Sequence, residues 1–371
     1  MGFSKVVHLT SVHRSDDTRI YGRQCRSLAE AGYNVVLVAP DARYQAKEGV
    51  RLHSVPAATS RLKRMLLTVY RIYRAAVEEN GEIYHLHDPE LVGPACLLRM
   101  KGKRIIFDFH ESFALQVMTK PWVPSSLRAL VVGFASLIQK LAVHVSDRVI
   151  AATPVVARSL PSQKTSVIMN YPVLKELILE SPLPYSQRPP WVGYVGELTE
   201  IRGVKEMVGA MDLLPADLQA EFQLMGNFSP AEFEREVAST PGWDRVNFLG
   251  YQSRESVARM LGQCRLGLVM LHPTPNYIES YPVKLYEYMA AGLPVVASDF
   301  PLWREIIEEV GCGLLADPLD PKSIAKQIQW ILSNPAAAER MGQRGRAAAL
   351  DRFNWDSEIP KLLRVYSQTL Q

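Results

Sequence analysis

The chain predicts an α/β protein made of two doubly wound, parallel-sheet domains. Three observations predict it. Short apolar, β-branched runs alternate with helical spacing from the first residues onward, the pattern of parallel strands joined by crossover helices. That alternation breaks once, between 171 and 191, where Pro172, Pro182, Pro184, Pro189 and Pro190 interrupt any repeat. The length, 371 residues, suits about two domains.

In the first half, Val6–Leu9 reads as a strand, Tyr21–Glu30 as a helix closed by Gly32, and Val35–Ala39 as a strand. Ile83–Leu86, Ile105–Phe109 and Val149–Ala152 continue the strands. Residues 172–190 read as a linker. Beyond it, Trp191–Val195, Phe222–Met225, Val246–Leu249, Leu266–Leu271, Pro294–Ala297 and Leu314–Ala316 are the strand candidates. The domains therefore fall at 1–171 and 191–354. The tail, 355–371, carries Ile359, Leu362, Leu363 and Tyr366 at helical spacing. Ligands of such sheets bind outside the carboxyl ends of the strands, so the active site is expected in a cleft between two facing sheets.

Composition narrows the function classes. A net charge of +4 is mild and implies no nucleic-acid partner. Cys25, Cys96, Cys264 and Cys312 are scattered without a C-x-x-C, as in buried thiols of a reducing compartment. The start, MGFSKVVHLT, has no apolar signal core, and Val6 stands where a myristoylation motif has Ser or Thr. The longest apolar stretch, near Ala129–Ile138, is about half of the roughly 20 residues a spanning helix requires. These features predict a cytoplasmic protein.

The most informative stretch is NYIESYPVKLYEYMAAGLPVVAS, residues 276–298. It reads as a loop (Asn276–Pro282), a helix (Val283–Ala291, with Gly292 as its left-handed cap) and a buried strand. A loop feeding a helix N-terminus is an anion site, because backbone N–H groups there lack partners and the dipole adds positive potential. Lys284 adds a full charge, and Glu279 and Glu287 frame the site with seven residues between them.

This E-x7-E spacing, joined to P-V-K-L-Y-E-Y-M-A-A-G-L-P-V-V-A-S, resembles the donor site of family 4 glycosyltransferases, which have the GT-B fold and act in bacterial polysaccharide building. The resemblance implies that Glu279 holds donor-sugar hydroxyls and Glu287 the ribose hydroxyls, with Ser280, Tyr281, Val283, Lys284 and Leu285 around the donor. It implies retention of configuration, a nucleotide sugar as co-substrate, a glycan or lipid-linked glycan as acceptor, no metal and no other cofactor. It also implies a last helix that crosses back onto the first domain. The alternatives are a nucleotide-sugar epimerase on the same fold and a non-catalytic nucleotide-sugar-binding protein.

Other segments are read against that resemblance. In Gly196-Glu197-Leu198-Thr199-Glu200-Ile201-Arg202-Gly203, Gly196 permits a tight turn and Gly203 opens the next helix. The family pattern has Arg where this chain has Glu197 and Lys where it has Arg202. Arg202 keeps a diphosphate-binding charge, and Lys284 is the substitute for the missing one. The resemblance places His110 toward the donor sugar. Arg202, Lys284, Glu279 and His110 are thus the catalytic candidates.

His13, Asp17, Arg19, His87, Asp88 and Glu111 are the acceptor-side candidates. The loop at 13–19 lacks the Gly-Gly usual in the family, so Arg19 as a charge and Asp17 or Thr18 as a plain helix cap stand as equal readings. His85 and His87 share one face of a strand, which is also how some metal sites begin, but such a site needs further ligands from other strand ends. A Ser-His-Asp hydrolase is unsupported, because no G-x-S-x-G is present. A basic amphipathic helix, Arg61 to about Ala76, with Arg71 and Arg74, suits either an anionic membrane, with Trp122-Val123-Pro124 as an apolar foot, or burial against a sheet.

Overall fold

The computed structural model describes residues 4–40, 49–58, 60, 63–111, 113, 128–179 and 183–371. Arg61 and the segment Trp122-Val123-Pro124, singled out above, lie outside them, as does Pro182. The chain divides into two compact units: Met1–Asn170 with Asp356–Gln371, and Tyr171–Trp355.

The first unit is a parallel sheet whose described strands are β1 (Lys5–Leu9), β2 (Asn34–Pro40), β3 (Val50–Val55), β4 (Ile83–Leu86), β5 (Arg104–Phe109), β6 (Arg148–Ala151) and β7 (Thr165–Val167), in the order β3-β2-β1-β4-β5-β6-β7. The central strands are buried on both faces, which is why they read as unbroken apolar runs rather than alternations. One face, with Val7, Leu9, Tyr84, Leu86 and Phe107, packs against Val69–Glu79, Val92–Met100 and Arg128–Val145. The other face presents His8, His85 and Asp108. The C-terminal helix, Ile359–Leu370, packs on that face, where Tyr366 is fully buried and bonded to His8 and His85.

Two strands escaped the sequence reading. β3 mixes Arg51 and His53 into its run and is partly exposed, and β7 has three half-buried residues. Both are edge strands, where the apolar signal is weakest.

The second unit has strands β8 (Trp191–Val195), β9 (Glu221–Met225), β10 (Val246–Gly250), β11 (Leu266–Val269), β12 (Val295–Ser298) and β13 (Gly313–Ala316), in the order β10-β9-β8-β11-β12-β13. The 172–190 stretch, read as a linker, belongs to this unit. Its short turns at Leu174–Glu176 and Tyr185–Gln187 are anchored by the buried Leu177 and by Tyr185, whose hydroxyl donates to the Arg265 carbonyl at 2.8 Å. Pro172, Pro184, Pro189 and Pro190 mark a path packed against this unit rather than a free connection.

The helix Val283–Ala290 is pinned between strands by its aromatic face. Tyr288 lies flat over β11 because Gly267 has no side chain: a Cβ there would sit 2.4 Å from the ring. The Tyr288 hydroxyl accepts the Val195 amide at 3.1 Å, tying the helix to the end of β8. Gly292 ends the helix at φ +71°. The preceding loop is not wholly irregular, because Pro275–Ile278 forms one helical turn.

Candidate functional site: a cationic glycine turn and a buried histidine cluster

In the second unit, β8 runs into Gly196 at φ +146°, and β9 into Gly226 at φ +147°. A Cβ on Gly226 would fall 1.7 Å from the Gly196 carbonyl oxygen, so the two strand ends close on each other only as glycines. A Cβ on Gly196 would meet Lys284 Nζ at 2.4 Å and Arg202 Nη1 at 3.6 Å. Two cationic groups therefore converge on one bare stretch of backbone. Lys284 comes from the first turn of the Val283–Ala290 helix and donates to the Tyr194 hydroxyl at 2.7 Å. Burial, and then the Arg202 charge, push its ammonium well below the usual lysine range. An arriving anion reverses that penalty. Arg202 closes the turn Glu200–Arg202, and Gly203 at φ +67° starts the Val204–Asp212 helix. The Glu197 carboxylate lies 3.4 Å from Arg202.

A cleft of about 320 Å³ opens beside this turn, lined by Gly196, Gly226, Asn227, Tyr251 and Gln252. Glu287 is buried, and its Oε1 accepts from Arg254 Nη1 at 2.8 Å; Arg254 also lies 3.4 Å from Glu176. Burial alone would lower the Arg254 pKa, but the Glu287 charge and hydrogen bond raise it. Glu279 is exposed at the end of the Pro275–Ile278 turn. The Ser280 carbonyl accepts Trp303 Nε1 at 2.8 Å, fixing the loop that carries Glu279. Tyr281 and Val283 are half-buried. Leu285 points wholly into the core, so only its backbone can face a ligand. The sequence reading missed Tyr194, Gly226 and Arg254. A glycine after an apolar strand was the available signal for Gly226; nothing local marked Arg254.

In the first unit the sequence candidates separate. Arg19 does not supply a free charge: it is buried and grips Asp108 through Nε and Nη2, both at 2.9 Å. Asp17 caps the following turn, accepting the Arg19 and Ile20 amides at 2.8 and 2.9 Å. Asp88 is buried and accepts from Thr10 Oγ1 and the Ser11 amide at 2.7 and 2.6 Å, a structural role. His87 is buried rather than facing an open site. His13 and His110 remain accessible, with ring centroids 5.1 Å apart, and Glu111 is exposed. Burial lowers the His13 pKa, but the hydrogen bond to Asp17 and the Asp88 charge outweigh it and raise it.

The structure adds His8 and Asp108 to the H-x-H pair. Two sets, His8/His85/His87 and His87/Asp108/His110, bring ligand-type atoms close enough to hold a metal. Their hydrogen bonding points elsewhere. Asp108 already accepts two bonds from Arg19 and one from Gln24 at 2.8 Å, and His8 Nδ1 faces His87 Nε2 at 3.0 Å, a spacing that takes one shared proton. Burial makes protonating Asp108 easier, yet the Arg19 and His110 charges hold it well below the usual carboxylate range.

Comparison with known proteins decides the family. Residues 18–166 match the model of a glycosyl transferase 4-like domain, and residues 180–348 match that of glycosyl transferases group 1. The chain belongs to the group 1, family 4-like glycosyltransferases. It is a transferase of the GT-B fold class. It is 25% identical to a phosphatidyl-myo-inositol mannosyltransferase of Mycobacterium leprae, over 98% of this chain and 91% of that protein. It is 24% identical to the O-antigen chain mannosyltransferase B of Escherichia coli, over 47% of this chain and 46% of the other. Similar folds include the sucrose-phosphate synthase of Thermosynechococcus elongatus (TM-score 0.78, 22% identity, 99% of each chain). Another is Anabaena Alr3699/HepE, solved with UDP and glucose (TM-score 0.75, 15% identity, 98% of this chain and 99% of that one).

Proposed function

We propose that this glycosyltransferase moves a sugar, with retention, from a nucleotide-sugar donor to a glycan or lipid-linked glycan acceptor in cell-surface polysaccharide or glycolipid synthesis. The observation that carries the reading is the convergence of Lys284 and Arg202 on Gly196, at the N-terminus of the helix that buries Glu287. A diphosphate fits that arrangement: two cations and free helix N–H groups meet the charge that develops as the anomeric C–O bond breaks. The acceptor oxygen attacks from the same face and its proton passes to the departing phosphate oxygen. Because the positive charge comes from side chains and a helix terminus, the reaction as proposed needs no metal. Glu287 takes the ribose hydroxyls through Oε2, Glu279 takes sugar hydroxyls, and His110 faces the sugar. The names of the mannosyltransferase relatives, and the UDP and glucose of the Anabaena structure, support a hexosyl donor.

Two exposed apolar helix faces support a lipid acceptor. Met65, Leu66 and Tyr70 are exposed on one helix, and Leu130, Phe134 and Leu137 on another, at i, i+4 and i+7. No Asp or Glu occurs from 112 to 146, and Lys63 and Arg71 add positive charge nearby. Such a face suits an anionic leaflet. Among the described residues no helix is long and apolar enough to cross a membrane.

The test is a panel of UDP, GDP, ADP and dTDP sugars, read by thermal shift and by transfer to lipid-linked acceptors. A ligand at 100 times its Kd stabilises by about 2.7 kcal/mol. Transfer requiring an acceptor and lost in Lys284→Met supports the reading. Turnover without acceptor shows an epimerase, and binding without turnover shows a non-catalytic binding protein.

A further inference from the structure

Two cations meet at the Gly196 turn, and one side chain holds the nearer of them in place. Tyr194, on β8, is fully buried. Its hydroxyl donates to the Glu197 carbonyl at 3.2 Å and accepts from Lys284 Nζ at 2.7 Å. Burial pushes the Tyr194 pKa up, so the hydroxyl keeps the proton it donates. Lys284 Nζ also stands 4.0 Å from the centre of the Tyr194 ring, where the face of the ring attracts a cation. One side chain therefore ties the backbone of the turn to the tip of a lysine 90 residues further on. Lysine has a flexible four-carbon stem, and Tyr194 fixes its end before any ligand arrives.

The same lysine lacks a counter-ion. The charged groups facing it are Arg202 and Glu197, on the turn after β8, and Glu287, on its own helix; Tyr277 adds a hydroxyl beside Arg202. Both carboxylates are committed to arginines: Glu197 lies 3.4 Å from Arg202, and Glu287 accepts from Arg254 at 2.8 Å. Among the described residues Lys284 has no carboxylate within ion-pair reach. A Cβ on Gly196 would be 2.4 Å from Lys284 Nζ and 3.6 Å from Arg202 Nη1, so the two cations repel across about 6 Å at most. Arginine keeps its charge in any surroundings, whereas lysine gives its proton up when buried. Burial, then the Arg202 charge, holds the Lys284 pKa well below the usual lysine range.

We propose that Tyr194 is a positioning residue for the diphosphate: it holds Lys284 against Gly196 as an uncharged amine, and the ligand brings a proton from solvent onto that amine as it binds. The proposal rests on the diphosphate reading given above. Lys284 then carries its full charge only while a diphosphate is present, and returns the proton when the diphosphate leaves. The bound state holds the proton more tightly than the free state, so binding takes up protons and weakens as pH rises. Without the Tyr194 hydroxyl the amine swings into water and regains its ordinary basicity, and the ligand itself has to order the lysine stem.

Calorimetry of the full chain with UDP, GDP, ADP and dTDP, in HEPES and in Tris at pH 8, counts the protons exchanged on binding. At that pH the phosphates of the ligand are already ionised. The wild type is expected to take up a fraction of a proton that grows between pH 7 and pH 9, with affinity falling by up to about tenfold per pH unit. Tyr194→Phe, which keeps the ring, is expected to bind about tenfold more weakly at pH 7 and to take up no proton. Lys284→Arg, which stays charged, is expected to bind without proton uptake and with an affinity that holds up to pH 9; it carries the test if Tyr194→Phe does not fold. Wild-type binding without proton uptake overturns the proposal. So does a Tyr194→Phe protein that melts earlier but keeps the wild-type proton count, and so does a Lys284→Arg protein that keeps it. Failure of all four nucleotides to bind the wild type removes the donor site itself, and the proposal with it.

Discussion

Glu287→Gln is the substitution that separates the two carboxylates of the donor loop. Its cost has two parts. In the folded protein, Oε1 accepts from Arg254 at 2.8 Å. The arginine side chain is 40% exposed and keeps Glu176 at 3.4 Å, so the lost pairing is screened and costs about 1 kcal/mol, well short of a fully buried pair. For the ligand, losing a carboxylate acceptor from a desolvated site costs about 1.5–3 kcal/mol, which is roughly 10- to 150-fold in affinity. Because the ribose is in both, Glu287→Gln should weaken the nucleotide sugar and the free nucleoside diphosphate alike. Glu279 is exposed and has no such pairing among the described residues, so Glu279→Gln should leave the fold untouched, weaken transfer, and barely change diphosphate affinity. Calorimetry with both ligands on both variants, beside thermal melts, reads all four numbers. Equal weakening of the free diphosphate by the two variants refutes the division of roles. No effect of either on binding or turnover places the donor elsewhere.

Three further outcomes follow from the same geometry. Transfer should survive EDTA; complete loss restored by zinc or manganese would return the histidines to a metal site. The wild type should co-sediment with anionic vesicles more than with neutral ones, and a variant with Lys63→Glu, Arg71→Glu, Leu130→Ser and Phe134→Ser should lose that difference. Acid should destabilise the protein early: burial holds His87 at about 3 and His8 and His85 well below the usual range. The unfolded chain then binds more protons below pH 6.5, so stability is full above that pH. It falls by about 1.4 kcal/mol per pH unit for each histidine as pH drops. Asp17, whose pKa is lowered, and Glu79, held at about 2 chiefly by Arg51, lose their contribution only below pH 4.5, and His13, whose pKa is raised, is already protonated there. Denaturant midpoints that stay flat between pH 7 and 5 would show that the cluster takes up protons freely.

The sequence carried the fold where burial was complete. Ile83–Leu86 and Trp191–Val195 stand in the structure with the bounds their apolar runs suggested, because strands covered on both faces leave no polar position to blur the run. β3 and β7 were invisible because edge strands owe their place to neighbours rather than to composition. The loop proposed for the donor reads as a unit because one continuous segment supplies Glu279, Lys284 and Glu287. Arg254 was not legible, since it reaches Glu287 across 33 residues and nothing local distinguishes it from a solvated arginine.

Three of the acceptor-side candidates are held by neighbours that lie far off in the sequence. Arg19, Asp88 and His87 are residue types that usually mark a site, at strand ends where sites form. Here each is held by a neighbour: Arg19 satisfies Asp108, Asp88 accepts from Thr10 and Ser11, and the buried His87 faces His8 at 3.0 Å. A charge at a strand end is thus evidence of a site only after its partners are counted. By that measure His13 and His110 remain the groups to test, because both stay accessible while their neighbours' charges are already spent.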